Sequence, residues 1–184
     1  MELVKSAELL AKKKHSGMMR NDGVTPYSKH LEDVTNRLKS LGVIDEELLC
    51  AGWLHDIIED TDMTFDNLYE QFGSRVAVLV SSLSKDMSLP KKQRELLYVK
   101  QLKEASFDAK LIKLCDISAN LSDLKNWNTS KSKKLRHVRQ IRLYLTIIKN
   151  DVLDNTNYPK IMSLLESVNL ILIKFGQRPV SLQV

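Results

Sequence analysis

The sequence is poor in the residues that interrupt helices, with 6 glycines and 4 prolines among 184 residues. Leucine, lysine, glutamate and isoleucine are frequent, and apolar residues recur mostly at helical spacing. No long alternating pattern indicates a strand. We therefore predict an all-α protein, a single compact multi-helix domain over residues 1–184, which is long enough to bury a core.

Cysteines are scarce too. Cys50 and Cys115 are the only two, and neither lies in a CxxC motif, so no disulfide framework is predicted. No stretch approaches the roughly 18 apolar residues of a membrane-spanning helix. Residues 1–15 lack the apolar core and cleavage site of a signal peptide. These absences argue against a membrane protein and a disulfide-stabilised secreted protein, and we expect a cytoplasmic location.

Basic residues exceed acidic ones. The formal net charge is +5 and the sequence pI is about 9.1. This balance suits an anionic partner, such as nucleic acid, a membrane surface or a phosphorylated small molecule, but it does not choose among them. A soluble protein that is basic without any such partner is the alternative reading.

Turn and capping residues divide the chain into about eight to ten predicted helices. The predicted segments are about 2–15, Thr25-Pro26 to near Gly42, Asp45 into His55-Asp56, Thr64 to Gly73, Ser74 onward, a helix after Pro90, and about 107–124, 130–150 and 159–175. The last helix is apolar on one side, which is expected to close the core, and a homodimer contact is the alternative. The apolar side carries Ile161, Leu164, Leu165, Val168, Ile171 and Leu172.

The segment WLHDIIED contains an adjacent histidine and aspartate, His55 and Asp56. His30 shares a predicted helix side with apolar residues, and Asp116 follows the apolar run 111–115, where an unpaired acid would be costly. Together the four would offer two nitrogens and two oxygens to a divalent metal ion. From the spacing alone, the alternative of core histidines and a helix-capping aspartate stays open.

Two further acids, Glu59 and Asp60, follow the adjacent pair by one helical turn. Too many anions would crowd one ion, so they are poorly explained as additional ligands. They are well placed to orient a water molecule or to donate a proton to a leaving group. A solvated acidic helix end is the alternative.

Three longer stretches carry a family resemblance. They are HSGMMRNDGVTPYSKHLEDV, CAGWLHDIIEDTDMTFDNLYEQFGSRVAVLVSSLSK and AKLIKLCDISANLSDL. Together they resemble the hydrolase domain of the RelA/SpoT family, an HD-superfamily domain, with five motifs in order across about residues 14–124. Helices 130–175 would complete the fold. With no room for synthetase and regulatory domains, the chain looks like a stand-alone small alarmone hydrolase, similar to the metazoan SpoT homologues.

The resemblance implies an enzyme that removes the 3′-pyrophosphate of (p)ppGpp with one Mn²⁺ ion and leaves GDP or GTP. It implies His30, His55, Asp56 and Asp116 as the metal ligands and Glu59 and Asp60 as the catalytic acids. It also implies that Arg20, Lys113 and Asn120 contact the nucleotide.

The basic helix after residue 130 offers more cations for an anionic substrate, namely Lys134, Arg136, Arg139 and Arg142. We predict Arg136 and Arg139 as substrate-binding residues, and a solvated basic face is the alternative.

The chain departs from the family pattern at two positions, where Asn21 and Ile117 replace basic residues. These departures concern nucleotide recognition and leave the predicted ligands and acids intact. One rival function is therefore an HD-type phosphohydrolase acting on ppApp, NADPH or a 3′-phosphorylated nucleotide. Another is a non-catalytic helical protein that binds nucleic acid. The predicted partner is a phosphorylated nucleotide, with neither a membrane nor nucleic acid expected.

Overall fold

The computed structural model describes residues 2–183, which form nine α-helices joined by short connections. The helices are α1 (Glu2–Lys14), α2 (Ser28–Leu41), α3 (Glu46–Leu54), α4 (Ile57–Asp60), α5 (Phe65–Leu83), α6 (Lys91–Glu104), α7 (Phe107–Asp123), α8 (Lys131–Leu153) and α9 (Ile161–Lys174). Over these residues no strand forms beyond an isolated bridge between Met19 and Pro26. The all-α prediction is confirmed. No helix in this range is long and apolar enough to cross a bilayer.

Helices α3 and α7 form the centre of the fold. Every residue from Leu48 to Leu54 is buried, and α7 is buried almost continuously from Ala109 to Ala119. A helix that is apolar on all sides must be covered on all sides. Accordingly α3 packs against α1, α2 and α5, while α7 packs against α2, α5, α8 and α9. His55 and Asp56 directly follow α3, and Asp116 lies on α7.

The predicted core role of the last helix is confirmed. On α9 the side chains of Ile161, Leu165, Val168 and Leu172 are buried, and α9 contacts α7 and α8. Each such aliphatic side chain contributes about 1.5–3 kcal/mol when it is fully buried. Helix α9 therefore helps to hold α7, the helix that carries Asp116.

Several predicted helix boundaries are confirmed by their caps. The Asp45 carboxylate accepts a hydrogen bond from the Leu48 amide at 3.0 Å. Thr64 forms a reciprocal capping box with Asn67. Gly73 breaks the regular geometry of α5 with φ of 84°, a conformation that glycine adopts readily, so the predicted interruption there is correct.

The predicted start of α2 at Thr25-Pro26 is wrong, because α2 begins at Ser28. The Thr25 hydroxyl donates to the Asp22 carboxylate at 2.6 Å instead of capping a helix, and Pro26 pairs with Met19. The predicted end of α8 is also too early. Val152 stays buried, so the helix continues to Leu153.

Candidate active site

The adjacent pair His55-Asp56 lies at the junction between α3 and α4. The His55 Nδ1–H donates to the Gly52 carbonyl at 2.9 Å, which fixes the imidazole. Gly52 has no room for a larger side chain, since an added Cβ would lie 2.7 Å from Cδ1 of Leu38 on α2. The close approach of α2 to α3 therefore depends on this glycine, and it brings His30 towards the junction.

The four predicted metal ligands converge. Nε2 of His30 lies 3.1 Å from Oδ1 of Asp116 and 3.6 Å from Oδ2 of Asp56. Nε2 of His55 lies 3.1 Å from Oδ2 of Asp56 and 3.8 Å from Oδ1 of Asp116. Ligand atoms roughly 2.1 Å from one ion are about 3.0–3.4 Å apart in octahedral or tetrahedral arrangements. The observed separations are close to this spacing.

The polar chemistry of the cluster also fits a cation. A carbonyl only accepts hydrogen bonds, so His55 uses the Nδ1 proton for Gly52, and neutral imidazole then presents a lone pair at Nε2. This buried Nε2 has no hydrogen-bond partner and faces the oxygens of Asp56 and Asp116. A lone pair opposite carboxylates is unfavourable unless a positive charge lies between them. A carbonyl that fixes the other ring nitrogen is typical of metal-binding histidines.

The pKa shifts of His55, Asp56 and Asp116 also indicate that the two carboxylates are stabilised by a nearby positive charge. Burial alone would lower the pKa of His55, but Asp56 and Asp116 raise it to about 10. Burial alone would raise the pKa of both carboxyl groups. His55 beside Asp56 and Lys113 beside Asp116 nevertheless hold the pKa of each well below its usual range. In the absence of a metal ion, protons therefore supply the charge that balances the two carboxylates.

Neighbouring side chains fix the two carboxylates. The Tyr27 hydroxyl donates to Oδ2 of Asp56 at 2.7 Å. Lys113 Nζ donates to Oδ2 of Asp116 at 2.8 Å, and Asn120 Nδ2 donates to its Oδ1 at 2.5 Å. Lys113 and Asn120, which were predicted to contact the nucleotide, are thus already bound to a predicted metal ligand.

The two predicted catalytic acids have different surroundings. Oε1 of Glu59 accepts a hydrogen bond from the Lys85 amide at 2.8 Å. Burial raises the pKa of Glu59 and the Asp56 carboxylate adds to this rise, while the Lys85 cation opposes it. Burial and Asp56 also raise the pKa of Asp60. A carboxyl group with a raised pKa is suited to proton transfer nearer neutral pH.

A cavity of about 850 Å³ opens beside the cluster. The metal-side wall, as the term is used below, consists of Tyr27, Asp56, Glu59, Lys113, Asp116 and Asn120. The α8 wall consists of Lys133, Arg136, His137, Arg139, Gln140, Ile141, Leu143 and Tyr144. Lys85, Lys91, Glu95, Ile117 and Trp127 also line the cavity. Arg136 and Arg139, which are predicted to bind the substrate, therefore line the same cavity as the predicted acid Glu59, whereas Asp60 is not among its lining residues.

The sequence analysis did not predict an aromatic pair that lies beside this cavity. Tyr98 and Tyr144 meet edge to face at 5.2 Å. The ammonium groups of Lys85 and Lys113 lie 4.7–5.6 Å from the two ring centroids. Glu95 accepts a short hydrogen bond from the Tyr144 hydroxyl. These residues come from α6, α7, α8 and the connection after α5, so no local motif indicates that they meet.

Three predicted cations do not line the cavity. Arg20 pairs with Asp123 at 3.0 Å and donates to Oδ1 of Asn120 at 2.8 Å, beside a separate pocket of about 50 Å³. Lys134 is absent from the lining. Arg142 donates instead to a main-chain carbonyl of the C-terminal segment. The predicted role of Lys134 and Arg142 in neutralising the substrate is not supported by this placement.

The fold and the paired histidine and aspartate define a class of protein. The HD-domain family profile matches residues 7–142, and the chain belongs to this family. The match spans α1 to the middle of α8 and includes all four converging residues.

Within the family, the chain is similar to named hydrolases. It is 39% identical over 123 residues to the zebrafish guanosine-3′,5′-bis(diphosphate) 3′-pyrophosphohydrolase MESH1, covering 66% of this chain and 68% of that protein. It is 38% identical to the human MESH1, covering 67% and 69%. A solved structure of a metazoan orthologue of SpoT that hydrolyses ppGpp matches with a TM-score of 0.83 and 28% identity. That match covers 96% of this chain and 97% of the other. The chain therefore belongs with the MESH1-type members of the family.

Proposed function

We propose that this protein is a (p)ppGpp 3′-pyrophosphohydrolase that uses one Mn²⁺ ion and releases pyrophosphate with GDP or GTP. The observation that carries the proposal is the convergence of two histidines and two aspartates beside a cavity that basic residues of α8 also line. The relatives' named activity supports the choice of substrate.

His30, His55, Asp56 and Asp116 are the residues that would hold the ion. When bound, Mn²⁺ supplies Lewis acidity, which polarises a phosphoryl oxygen and acidifies a water molecule. Nitrogen and carboxylate donors suit Mn²⁺ and also other divalent first-row metals, so the choice of Mn²⁺ rests on the family resemblance.

Glu59 is the residue best placed to handle a proton. It lies in the cavity lining, its pKa is raised, and the Lys85 amide fixes one carboxylate oxygen. The other oxygen remains available to accept a proton from the attacking water. Asp60, one residue further, is proposed to assist by orienting the water or by supplying a proton to the 3′-oxygen that leaves.

Arg136 and Arg139 are proposed to neutralise the substrate phosphates. Both are exposed and line the cavity, and within the described part of the chain neither has an ion-pair partner. A guanidinium without a carboxylate partner retains its donors for phosphate oxygens.

The location and the assembly of the protein are separate parts of the proposal. We propose a cytoplasmic enzyme, since its substrate would be a nucleotide of that compartment. A homodimer would need a surface outside the core, and Leu170 and Ile173 of α9 are exposed. Sedimentation velocity at micromolar concentration tests the assembly.

The deciding experiment is a product assay. The metal-free protein is supplied with ppGpp, with and without Mn²⁺, and released pyrophosphate and GDP are quantified. We expect Mn²⁺-dependent release of both in equal amounts. The proposal fails if ppGpp is untouched while ppApp or NADPH is turned over under the same conditions. Salt-dependent RNA or DNA binding with no hydrolysis of any of the three would favour the non-catalytic alternative.

A further inference from the structure

His15 is a buried histidine to which the mechanism above gives no role. It is 2% exposed, and its Nδ1–H donates to the Ala11 carbonyl at 2.9 Å. Its Nε2 is buried without a hydrogen-bond partner, and Oδ2 of Asp60 lies 4.0 Å away. A buried ring nitrogen without a partner is costly, and this one points towards a proposed catalytic acid.

The fold fixes the direction of this nitrogen. The His15 ring stacks on Tyr27 with centroids 5.1 Å apart and planes 9° apart. Tyr27 is itself held, because its hydroxyl donates to Asp56 and its ring meets His30 edge to face. The imidazole is thus fixed by the Ala11 carbonyl and by the Tyr27 ring face. In contrast, the Asp60 side chain is 35% exposed and is the movable member of the pair.

Resting on the proposed function, which makes Asp60 a catalytic acid, we propose that His15 is the positioning residue for that acid. Because the Nδ1 proton is donated to Ala11, Nε2 is the acceptor in this pair. A hydrogen bond donated by the protonated Asp60 carboxyl group through Oδ2 to His15 Nε2 holds this group in one orientation, with its other oxygen directed to the reacting water. A separation of 4.0 Å is longer than a hydrogen bond, and a small rotation of the exposed Asp60 side chain closes it.

Two substitutions of His15 distinguish its contact with Asp60, which positions the acid, from its contact with the Ala11 carbonyl, which is structural. In His15→Asn the side-chain amide lies near the former Nδ1 and can keep the Ala11 contact, but it cannot reach Asp60. In His15→Gln the amide reaches the former Nε2 and can keep the Asp60 contact. We expect kcat to fall about 10- to 100-fold in His15→Asn and by less than about threefold in His15→Gln, with KM and Mn²⁺ affinity unchanged. Wild-type kcat in His15→Asn, or equal losses in both variants, would overturn the proposal.

A double-mutant cycle shows whether His15 acts through Asp60. If it does, His15→Asn has no further effect on kcat in an Asp60→Asn background. Losses that multiply in the double variant would mean that His15 acts independently of Asp60, which contradicts the proposal.

A measurement without substrate keeps this inference separate from the proposed activity. The chain has only four histidines, so the His15 ring nitrogens can be assigned in ¹H–¹⁵N spectra by comparison with His15→Gln. In metal-free protein, Asp60→Asn should shift the His15 Nε2 resonance and leave His137 unmoved. An unshifted His15 resonance refutes the contact whatever the substrate proves to be.

Discussion

The two walls of the cavity differ in how their charges are held. On the metal-side wall, Asp56 and Asp116 are each fixed by other side chains, at separations down to 2.5 Å. On the α8 wall, Arg136 and Arg139 are exposed and carry no ion pair over the residues that the structure describes. Preorganised groups suit bond breaking, since they need no rearrangement as charge develops. Mobile cations suit recognition of a flexible polyphosphate. The comparison therefore predicts losses of turnover on one wall and losses of affinity on the other.

The largest effect is expected from removing a proposed metal ligand. Asp56→Ala should abolish Mn²⁺ binding and reduce kcat/KM on the order of a thousandfold or more, because both histidines lose a fixed oxygen neighbour. Metal content after dialysis and the rate of pyrophosphate release measure the two effects. Asp62→Ala is the matched control, since Asp62 is an exposed acid nearby that pairs with Lys14. An Asp56→Ala enzyme that retains both metal and turnover would refute the ligand role.

The next largest effect should come from Glu59→Gln. This change removes the ionisable group but keeps the size of the side chain. We expect kcat to fall about 10²–10⁴-fold with metal content unchanged, because Glu59 is proposed to transfer a proton and not to bind the ion. Near-normal turnover in this variant would show that another group handles the proton.

Smaller effects are expected on the α8 wall. Arg136→Ala and Arg139→Ala should each raise KM about tenfold, equivalent to about 1.4 kcal/mol, with little change in kcat. The KM of the wild type should also rise more steeply with ionic strength than that of either variant. Lys134→Ala removes the same charge from the same helix outside the cavity lining, so it serves as the control. Equal KM changes in all three variants would mean that α8 acts only through its net charge.

The sequence indicated which four side chains would converge, for a physical reason. His55 and Asp56 are adjacent, and His30 and Asp116 lie in short motifs within strongly patterned helices. The proposed ligands can therefore be recognised from local sequence, and the structure adds that all four converge.

Contacts between segments that are far apart in the sequence have no local motif that predicts them. Tyr98 and Tyr144 are separated by 46 positions and meet only because α6 and α8 pack together. The start of α2 was predicted wrongly for a different reason, which is local. Thr25-Pro26 has the composition of a helix start, but the Asp22 side chain captures the Thr25 hydroxyl and amide in a turn. Which of two competing local hydrogen bonds forms depends on the surrounding packing.

The last predicted effect is on stability and not on turnover, and it is a pH dependence that belongs to His55 and not to the α8 wall. In metal-free protein the pKa of His55 is raised to about 10 from 6.5. Because the folded state binds this proton more tightly, the stabilisation is complete below pH 6.5 and is lost as the pH rises towards 10. We expect the melting temperature in chelator to fall between pH 6.5 and 9. Added Mn²⁺ should reverse the trend, since the ion binds deprotonated histidine.

The control for this prediction is His55→Gln, which removes the titrating group. Both proteins approach the sequence pI of about 9.1 over this interval and lose similar net charge, so the difference between their slopes isolates His55. In chelator, the melting temperature of the variant should depend less on pH than that of the wild type. Added Mn²⁺ should not raise the melting temperature of the variant. Identical slopes in the two proteins would mean that no raised pKa exists at His55. The carboxylates of the metal-side wall would then need another source of positive charge.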